Sequence, residues 1–431
     1  MGSIYVGRVG RLLESADQVI DKHCKFRVNG QVSSLRTQEY SRQVIRETCR
    51  RLHRLGFMLE DIHGLGPKHI EALVKDWHAQ GMSTKTLQNQ YSRLKIFCKW
   101  LGKPGIIDCS GIGVAAYLPD IPIAELKVRT YTEVSKSWTG KGVDVIKKLQ
   151  EAMNNDPRHG HMLRLGLAFG LRKKEQIRIK LWKSDMGNSL MIEGSVGKGG
   201  RPRVITIDAS TDCGKFQRWC LDQAKTVCGK HQSLGWPELD FKQCENRYYY
   251  YMNLVGITRA DADVVGHGLR AEFAENQSMI RGLLPPSLGG TIDQMPQAQR
   301  KEILREVSNL LGHNDTHTVG AYFSVFRKPT AKTDTLGGQV GPIIPVDLDK
   351  EIFMSLWVSP KPVSEADGTY RQQTPAEAKK ATVTAVVEIP WLPEKRMPAA
   401  EFLAERPELT AKLTAILQRV GFRNLVAETQ T

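Results

Sequence analysis

Three stretches in the first hundred residues repeat apolar positions every three or four residues, the pattern of helices that bury one face. Tyr40, Val44, Cys49, Leu52 and Leu55 lie broadly on one side of a helix that begins after Thr37 and stops at Gly56. Ile70, Leu73, Val74 and Trp77 stripe a second helix, opened by Gly66-Pro67 and ended at Gly81. Leu87, Tyr91, Leu94, Cys98 and Leu101 stripe a third, capped near Ser83 or Thr84 and closed by Gly102 and Pro104. Residues 1–35 carry no strong period and read as an extension. Residues 103–137 hold Pro104, Pro119 and Pro122 without a sustained helical pattern and read as an interdomain linker.

The second half is patterned differently. Amphipathic helices are predicted near residues 143–153 and 161–169. Two strand-like runs, 189–193 and 203–207, flank a Gly-rich stretch at 194–200 and predict a β-hairpin. The rest to residue 330 reads as mostly helical, with 281–296 as an inserted loop. Beyond Pro329 the chain becomes Pro- and Thr-rich, with a short apolar helix expected at 352–357, a Val-rich strand at 381–389 and a helix at 408–420. The expected class is mainly α with a small β-hairpin (α+β). The expected divisions are an extension at 1–35, a helical domain at 36–125, a second domain at 126–330 and a tail at 331–431.

Charge adds a partner to this outline. The 431 residues hold 61 Lys and Arg against 46 Asp and Glu, a net +15. Residues 1–128 carry +7 and 129–330 carry +9, whereas 331–431 carry −1. A basic surface confined to the first two domains points to a polyanion, with nucleic acid the leading class. On the helical domain, Arg42, Arg46 and Arg50 recur every four residues, and Arg93, Lys95 and Lys99 lie off the apolar stripe. A basic helix face is commonly just solvated, but several such faces in one small domain favour DNA contact. The segment Ile62–Ile70 also has the look of a hairpin that offers a helix N-terminus to a phosphate. No apolar run is long enough for a membrane span, the N-terminus lacks a signal-peptide core, and Gly2 lacks the following Ser or Thr of a myristoylation site. Eight scattered cysteines without a Cys-x-x-Cys suit a reduced, cytoplasmic, nucleoid-associated protein. Cys220, Cys228, His231 and Cys244 have poor spacing for zinc.

Four separated pieces of the second domain carry chemistry. They are Arg172 in a tight turn into a helix, Lys198 at the hairpin tip, His267 with Arg270 three residues on, and Leu311-Gly312-His313 followed by Tyr322. Taken singly, each has a plain reading: Arg172 paired with Glu175, an exposed lysine, packing histidines, a core tyrosine. The run Tyr248–Tyr251 reads as packing, because adjacent helical residues point different ways.

In this order the pieces resemble the tyrosine recombinase family of phage and mobile-element integrases, whose pattern runs Arg, hairpin Lys, His-x-x-Arg, Leu-Gly-His, Tyr. "GLRKKEQIRIKLW", "VGKGGRPRVITI", "HGLRAEFA" and "LGHNDTHTVGAYF" are similar to its boxes over residues 36–328. Two departures stand out: the interval from Arg270 to His313 is long, and Ala271-Glu272 replaces a common His-Thr. The resemblance implies a SAM-like core-binding domain and a catalytic domain clamping double-stranded DNA, in a homotetramer, with possible DNA-bending accessory proteins and no membrane. It implies Tyr322 as nucleophile forming a 3′-phosphotyrosine and Arg172, Arg270 and His313 on the phosphate oxygens. His267 would handle the phenol's proton and Lys198 would protonate the leaving 5′-oxygen. No cofactor is expected, since the covalent link conserves the phosphodiester energy. The alternatives are a resolvase, a type IB topoisomerase-like nicking-closing enzyme, or a catalytically silent DNA-binding protein. The tail is expected to dock on a neighbouring protomer.

Overall fold

The computed structural model describes residues 7–326 except 27–31, 109–110, 129, 133, 198–201 and 314, and beyond Phe326 the backbone of strands between 338 and 398. The chain divides into two compact units, residues 1–129 and 130–431.

The first unit is built from α1 (Gly7–His23), α2 (Leu35–Arg54), α3 (Pro67–Ala79) and α4 (Thr84–Trp100). Hydroxyls start two of them: Ser34 accepts from the Thr37 N–H at 3.2 Å and Ser83 from the Thr86 N–H at 3.3 Å, satisfying donors that a first turn leaves open. The predicted apolar stripes meet in one core that includes Leu52, Trp77 and Leu94. Two expectations change here. The stretch read as an extension supplies α1, whose Leu12, Ala16 and Ile20 are fully buried in that core. The stretch read as a linker folds back through Ile107, Val114, Leu118 and Leu126 into the same core. Its prolines break helical periodicity without preventing burial, so pattern alone underestimates it.

The interface of α1 with α2 carries charge as well as hydrocarbon. Asp17, 6% exposed, receives Arg42 Nη1 at 2.7 Å and lies 3.1 Å from Arg46 Nη1. Arg42 also bonds Asp21.

In the second unit, α5 (Val145–Asn155) and α6 (Pro157–Phe169) are capped by Asp144 and Asp156, and α7 (Lys173–Arg178) and α8 (Leu181–Ser184) follow. Strands β1 (Ser189–Ile192) and β2 (Arg203–Thr206) pair antiparallel, Ser189 opposite Thr206. Then come α9 (Asp212–Lys225), α10 (Phe241–Leu254), α11 (Gly268–Ile280), α12 (Gln297–Leu310) and α13 (Gly320–Phe323). Residues 159–169 of α6 and 268–279 of α11 are buried on every side. Such helices are set by the elements around them rather than by an amphipathic stripe. One apolar cluster joins α5, α6, the hairpin, α9 and α10; a second joins α11, α12 and α13. Leu269 belongs to the first and Ala271 to the second, so Arg270 lies where the two meet.

In the tail, β3 (Gly338–Gln339), β4 (Ile344–Asp347), β5 (Ile352–Val358), β8 (Val383–Glu388) and β9 (Arg396–Pro398) make one antiparallel sheet, and β6 (Val363–Ser364) pairs with β7 (Tyr370–Arg371). The helix expected at 352–357 is therefore corrected to a strand, paired with β8 from Phe353 opposite Glu388 to Val358 opposite Val383. A seven-residue apolar run rich in β-branched and aromatic side chains suits a strand better than a two-turn helix. The expected strand at 381–389 coincides with β8; the expected helix at 408–420 lies outside the described residues.

Replacing Asp17 with Ala leaves Arg42 and Arg46 facing a shared vacancy. We expect the first unit to lose about 1–3 kcal/mol, discounted for the partial exposure of both arginines, read as a lower urea midpoint of its own transition in the full chain.

Candidate active site

The site begins at the C-terminus of α6. Gly170 ends that helix with φ 59°, in the left-handed region, and a Cβ there would lie 2.5 Å from the Phe273 ring. Its carbonyl, turned back by that geometry, accepts from Arg270 Nη1. Arg270, at the start of α11, has no exposed surface. Its Nε donates to the Tyr322 hydroxyl at 2.9 Å and its Nη2 donates to the Leu311 carbonyl. Burial, the largest effect, pushes the Arg270 pKa down to about 10, with Tyr322 opposing and the charges of Arg172 and Arg203 assisting. It remains a cation at neutral pH.

Tyr322 lies on α13, 7% exposed, with His313 Nε2 at 3.2 Å from its hydroxyl. The His267 ring, at the cap of α11, is 5.8 Å from the Tyr322 ring between centroids. Arg172 caps α7; its Nη2 is 3.4 Å from the Leu311 carbonyl and 3.5 Å from His313 Nε2. Five of the six expected residues, Arg172, His267, Arg270, His313 and Tyr322, thus converge. Lys198 lies outside the described residues.

Glu175 was legible only as a pairing partner of Arg172, and Arg203 was given no role. Glu175, fully buried, accepts from the Arg172 backbone N–H at 2.9 Å and from its Nη1 at 2.9 Å. Arg203 on β2 donates to both Glu175 oxygens, at 2.9 and 2.7 Å. Burial alone would raise the Glu175 pKa, but the bonds and charge of Arg203 and Arg172 overcome it and hold the carboxyl down at about 2. The ion-pair reading of Arg172 is therefore true and compatible with a place in the site.

A strap before α5 supports the same helices. The Thr132 N–H donates to the Gly320 carbonyl of α13 at 3.0 Å. Thr139 donates to Glu272 through its N–H at 3.0 Å and its hydroxyl at 2.7 Å, and Ser135 and Ser287 donate to Glu275 at 2.8 Å each. Glu272, the departure noted beside Ala271, is thus a strap anchor. Burial pushes Glu272 to about 8, with the charge of Glu275 adding to it, and Glu275 to about 7.

Elsewhere the candidates separate. Arg42 and Arg46, both expected to face DNA, are ion-paired with carboxylates of α1. Arg50 is 3.8 Å from Glu47, Arg93 lies over the Tyr40 ring at 5.7 Å, Lys95 is half-buried and Lys99 is exposed. In the segment Ile62–Ile70 the N–H groups of Gly64, Leu65 and Gly66 donate within the turn, to the Asp61 and Ile62 carbonyls and His69 Nδ1. Tyr248 is buried while Tyr249 and Tyr250 are exposed. Among the described residues no group of three or more His, Cys, Asp or Glu could hold a metal ion, and no helix is long and apolar enough to cross a membrane.

Both folded-state values for Glu272 and Glu275 lie above the ordinary ~4.3 of an unfolded glutamate, so the folded unit holds protons that the unfolded chain releases. Their stabilisation is complete below about pH 4 and is lost as pH rises to about 8. We expect the melting temperature of the second unit to fall over that interval, and Glu272→Gln with Glu275→Gln to flatten the slope in a calorimetric pH series.

Known proteins bear on this chain in two ways. Residues 22–107 match the model of the phage integrase N-terminal domain. Solved structures similar to the chain include a lambda integrase dimer bound to a COC′ core site, 17% identical, covering 74% of this chain and 80% of that one with a TM-score of 0.47. They also include the Tn1549 transposon integrase in complex with circular intermediate DNA, 12% identical, covering 73% and 96% with a TM-score of 0.44. A third, the integrase from mycobacterium phage Brujita, is 15% identical over 74% and 96%, with a TM-score of 0.26. No curated protein matches the sequence. The family match is confined to the first unit, over residues 22–107, which are similar to the N-terminal domain of phage integrases.

Proposed function

We propose that the protein is a site-specific DNA recombinase, an integrase that cleaves and rejoins DNA through a 3′-phosphotyrosine. The observation that carries this reading is the Tyr322 hydroxyl lying 2.9 Å from Arg270 Nε and 3.2 Å from His313 Nε2, with Arg172 Nη2 3.5 Å from that same imidazole nitrogen. A hydroxyl among fixed cationic and imidazole donors suits attack on a phosphodiester, whose non-bridging oxygens gain charge in the transition state. The Tyr322 oxygen forms the new bond to phosphorus as the bond to the 5′-oxygen breaks. The phenolic proton passes to His267 or His313, and Lys198 supplies a proton to the departing oxygen. Rejoining reverses these steps with a 5′-hydroxyl from the partner strand, so no ATP is consumed.

Arg172 and Arg270 provide planar, permanently charged forks that a lysine would not reproduce. The silent-binder alternative gives no reason for a tyrosine hydroxyl to lie within hydrogen-bond reach of both Arg270 and His313. Double-stranded DNA is the proposed partner, with two protomers on each of two sites. The tail, net −1, has no reason to grip phosphate; docking on a neighbouring protomer remains its proposed role.

The decisive variant is Tyr322→Phe, which keeps the ring packing and removes only the attacking oxygen. We expect it to bind the DNA bordering its gene like the wild type, yet to leave no detergent-resistant protein–DNA complex on a nicked substrate. Covalent trapping by the Phe variant would assign the nucleophile elsewhere.

A second expectation separates the basic side chains of the first unit. Lys99→Gln should lower the slope of log affinity against log salt by about 1. Arg42→Gln, already paired with Asp17 and Asp21, should leave that slope unchanged and lower stability instead. Gel shifts across a salt series read both.

A further inference from the structure

Arg203 lies in the box around Lys198 but has none of the roles assigned there, and its side chain meets two of the other pieces. It is 7% exposed, so it is not displayed to a ligand at the surface. On one side its two Nη atoms hold the two oxygens of Glu175, at 2.9 and 2.7 Å. On the other its aliphatic arm fills the space over Gly312, where a Cβ would come within 2.9 Å of Arg203 Cδ and where φ is 69°. Glu175 is the carboxylate that fixes Arg172, and Gly312 precedes His313.

We propose that Arg203 is a positioning residue for DNA strand cleavage, fixing Glu175 so that this carboxylate orients Arg172 without neutralising it, and setting the turn that presents His313. The inference rests on the recombinase reading above.

The reason lies in how one carboxylate is shared. A buried carboxylate facing a single arginine draws both of its Nη groups into a bidentate fork. Here Arg203 occupies both oxygens, and Arg172 reaches only Oε1 through Nη1. Its Nη2 is left turned toward Leu311 and His313, the side on which Tyr322 lies. Removing Arg203 would let Glu175 capture the whole Arg172 guanidinium and withdraw it from the phosphate. The tight fit of Arg203 over Gly312 would be lost at the same time.

The test uses the full chain and compares Arg203→Met, Arg203→Lys and Arg203→Met with Glu175→Gln. Three quantities are read: affinity for a nicked duplex from the gene's own locus, the single-turnover rate of covalent complex formation, and the melting temperature. We expect Arg203→Met to bind DNA within about twofold of wild type and to form the covalent complex ~100-fold more slowly. Arg203→Lys, which keeps the charge but loses the fork, should fall ~10-fold and carries the test if the Met variant does not fold. Adding Glu175→Gln to Arg203→Met should recover ~10-fold of the rate, because a neutral amide no longer captures Arg172. A purely structural role predicts that the double variant is no faster than the single one, and that result overturns the proposal. Wild-type cleavage by both Arg203 variants also overturns it. So does rescue by a substrate with sulfur as the bridging 5′ atom, a leaving group that needs no proton, since the defect would then lie with the hairpin acid. If the wild-type chain itself forms no covalent complex on any fragment of its locus, the recombinase reading falls and this role falls with it.

Discussion

A guanidinium with no exposed surface must find all its partners inside the fold, because an unpaired buried cation costs several kcal/mol. Arg270 meets this constraint with the Gly170 carbonyl, the Leu311 carbonyl and the Tyr322 hydroxyl, drawn from the end of α6, the turn after α12 and α13. Each partner depends on a local backbone feature. Gly170 is left-handed, which turns its carbonyl inward, and Ser324, just past α13, has φ 75°, uncommon for a residue with a side chain. Satisfying one buried arginine therefore assembles three distant segments around one tyrosine.

The electrostatics of the site follow from an imbalance. Arg172 and Arg203 share one carboxylate, Glu175, which is held ionised, and Arg270 adds a third cation that feels the charge of both arginines. The cluster keeps excess positive charge in a region of low dielectric, where an anion is bound more strongly than in water. The opposite arrangement lies on the other side of α11, where Glu272 and Glu275 have hydroxyl and N–H donors instead of cations. Those carboxyls are neutral in acid and become a burden as pH rises. The same helix thus presents a cation to the site and titratable anchors to the strap that holds α13.

The first unit shows why counting charges misleads about a surface. Arg42 and Arg46 sit on the expected side of α2, but α1 covers them with Asp17 and Asp21. Lys99 meets no such neighbour among the ion pairs of the described residues and is exposed, and it is the better candidate for phosphate. Periodicity places a residue on a helix face; it does not say which other helix will lie against that face.

Local sequence determined a good deal of this protein. The stripes and caps of α2, α3 and α4 fix those helices because amphipathic burial and capping act over three or four residues. The hairpin was legible from two β-rich runs about a Gly-rich stretch, and five residues that the fold brings together were legible as ordered pieces with chemistry suited to a phosphate. Tertiary structure alone decided the rest. Residues 1–35 do hold a helical stripe, Leu12, Ala16, Val19 and Ile20, contrary to the expectation of no strong period, but which elements it packs against was decided only once α2 and α4 lay beside it. The run at 352–358 could have been helix or strand until β8 paired with it. Glu175 is three residues from Arg172, so that pair was legible, but Arg203 and the Glu272–Glu275 anchors are distant in sequence from the groups they hold, and no spacing rule connects them. Their roles come from low dielectric and saturated hydrogen bonding, which exist only after the chain has closed around them.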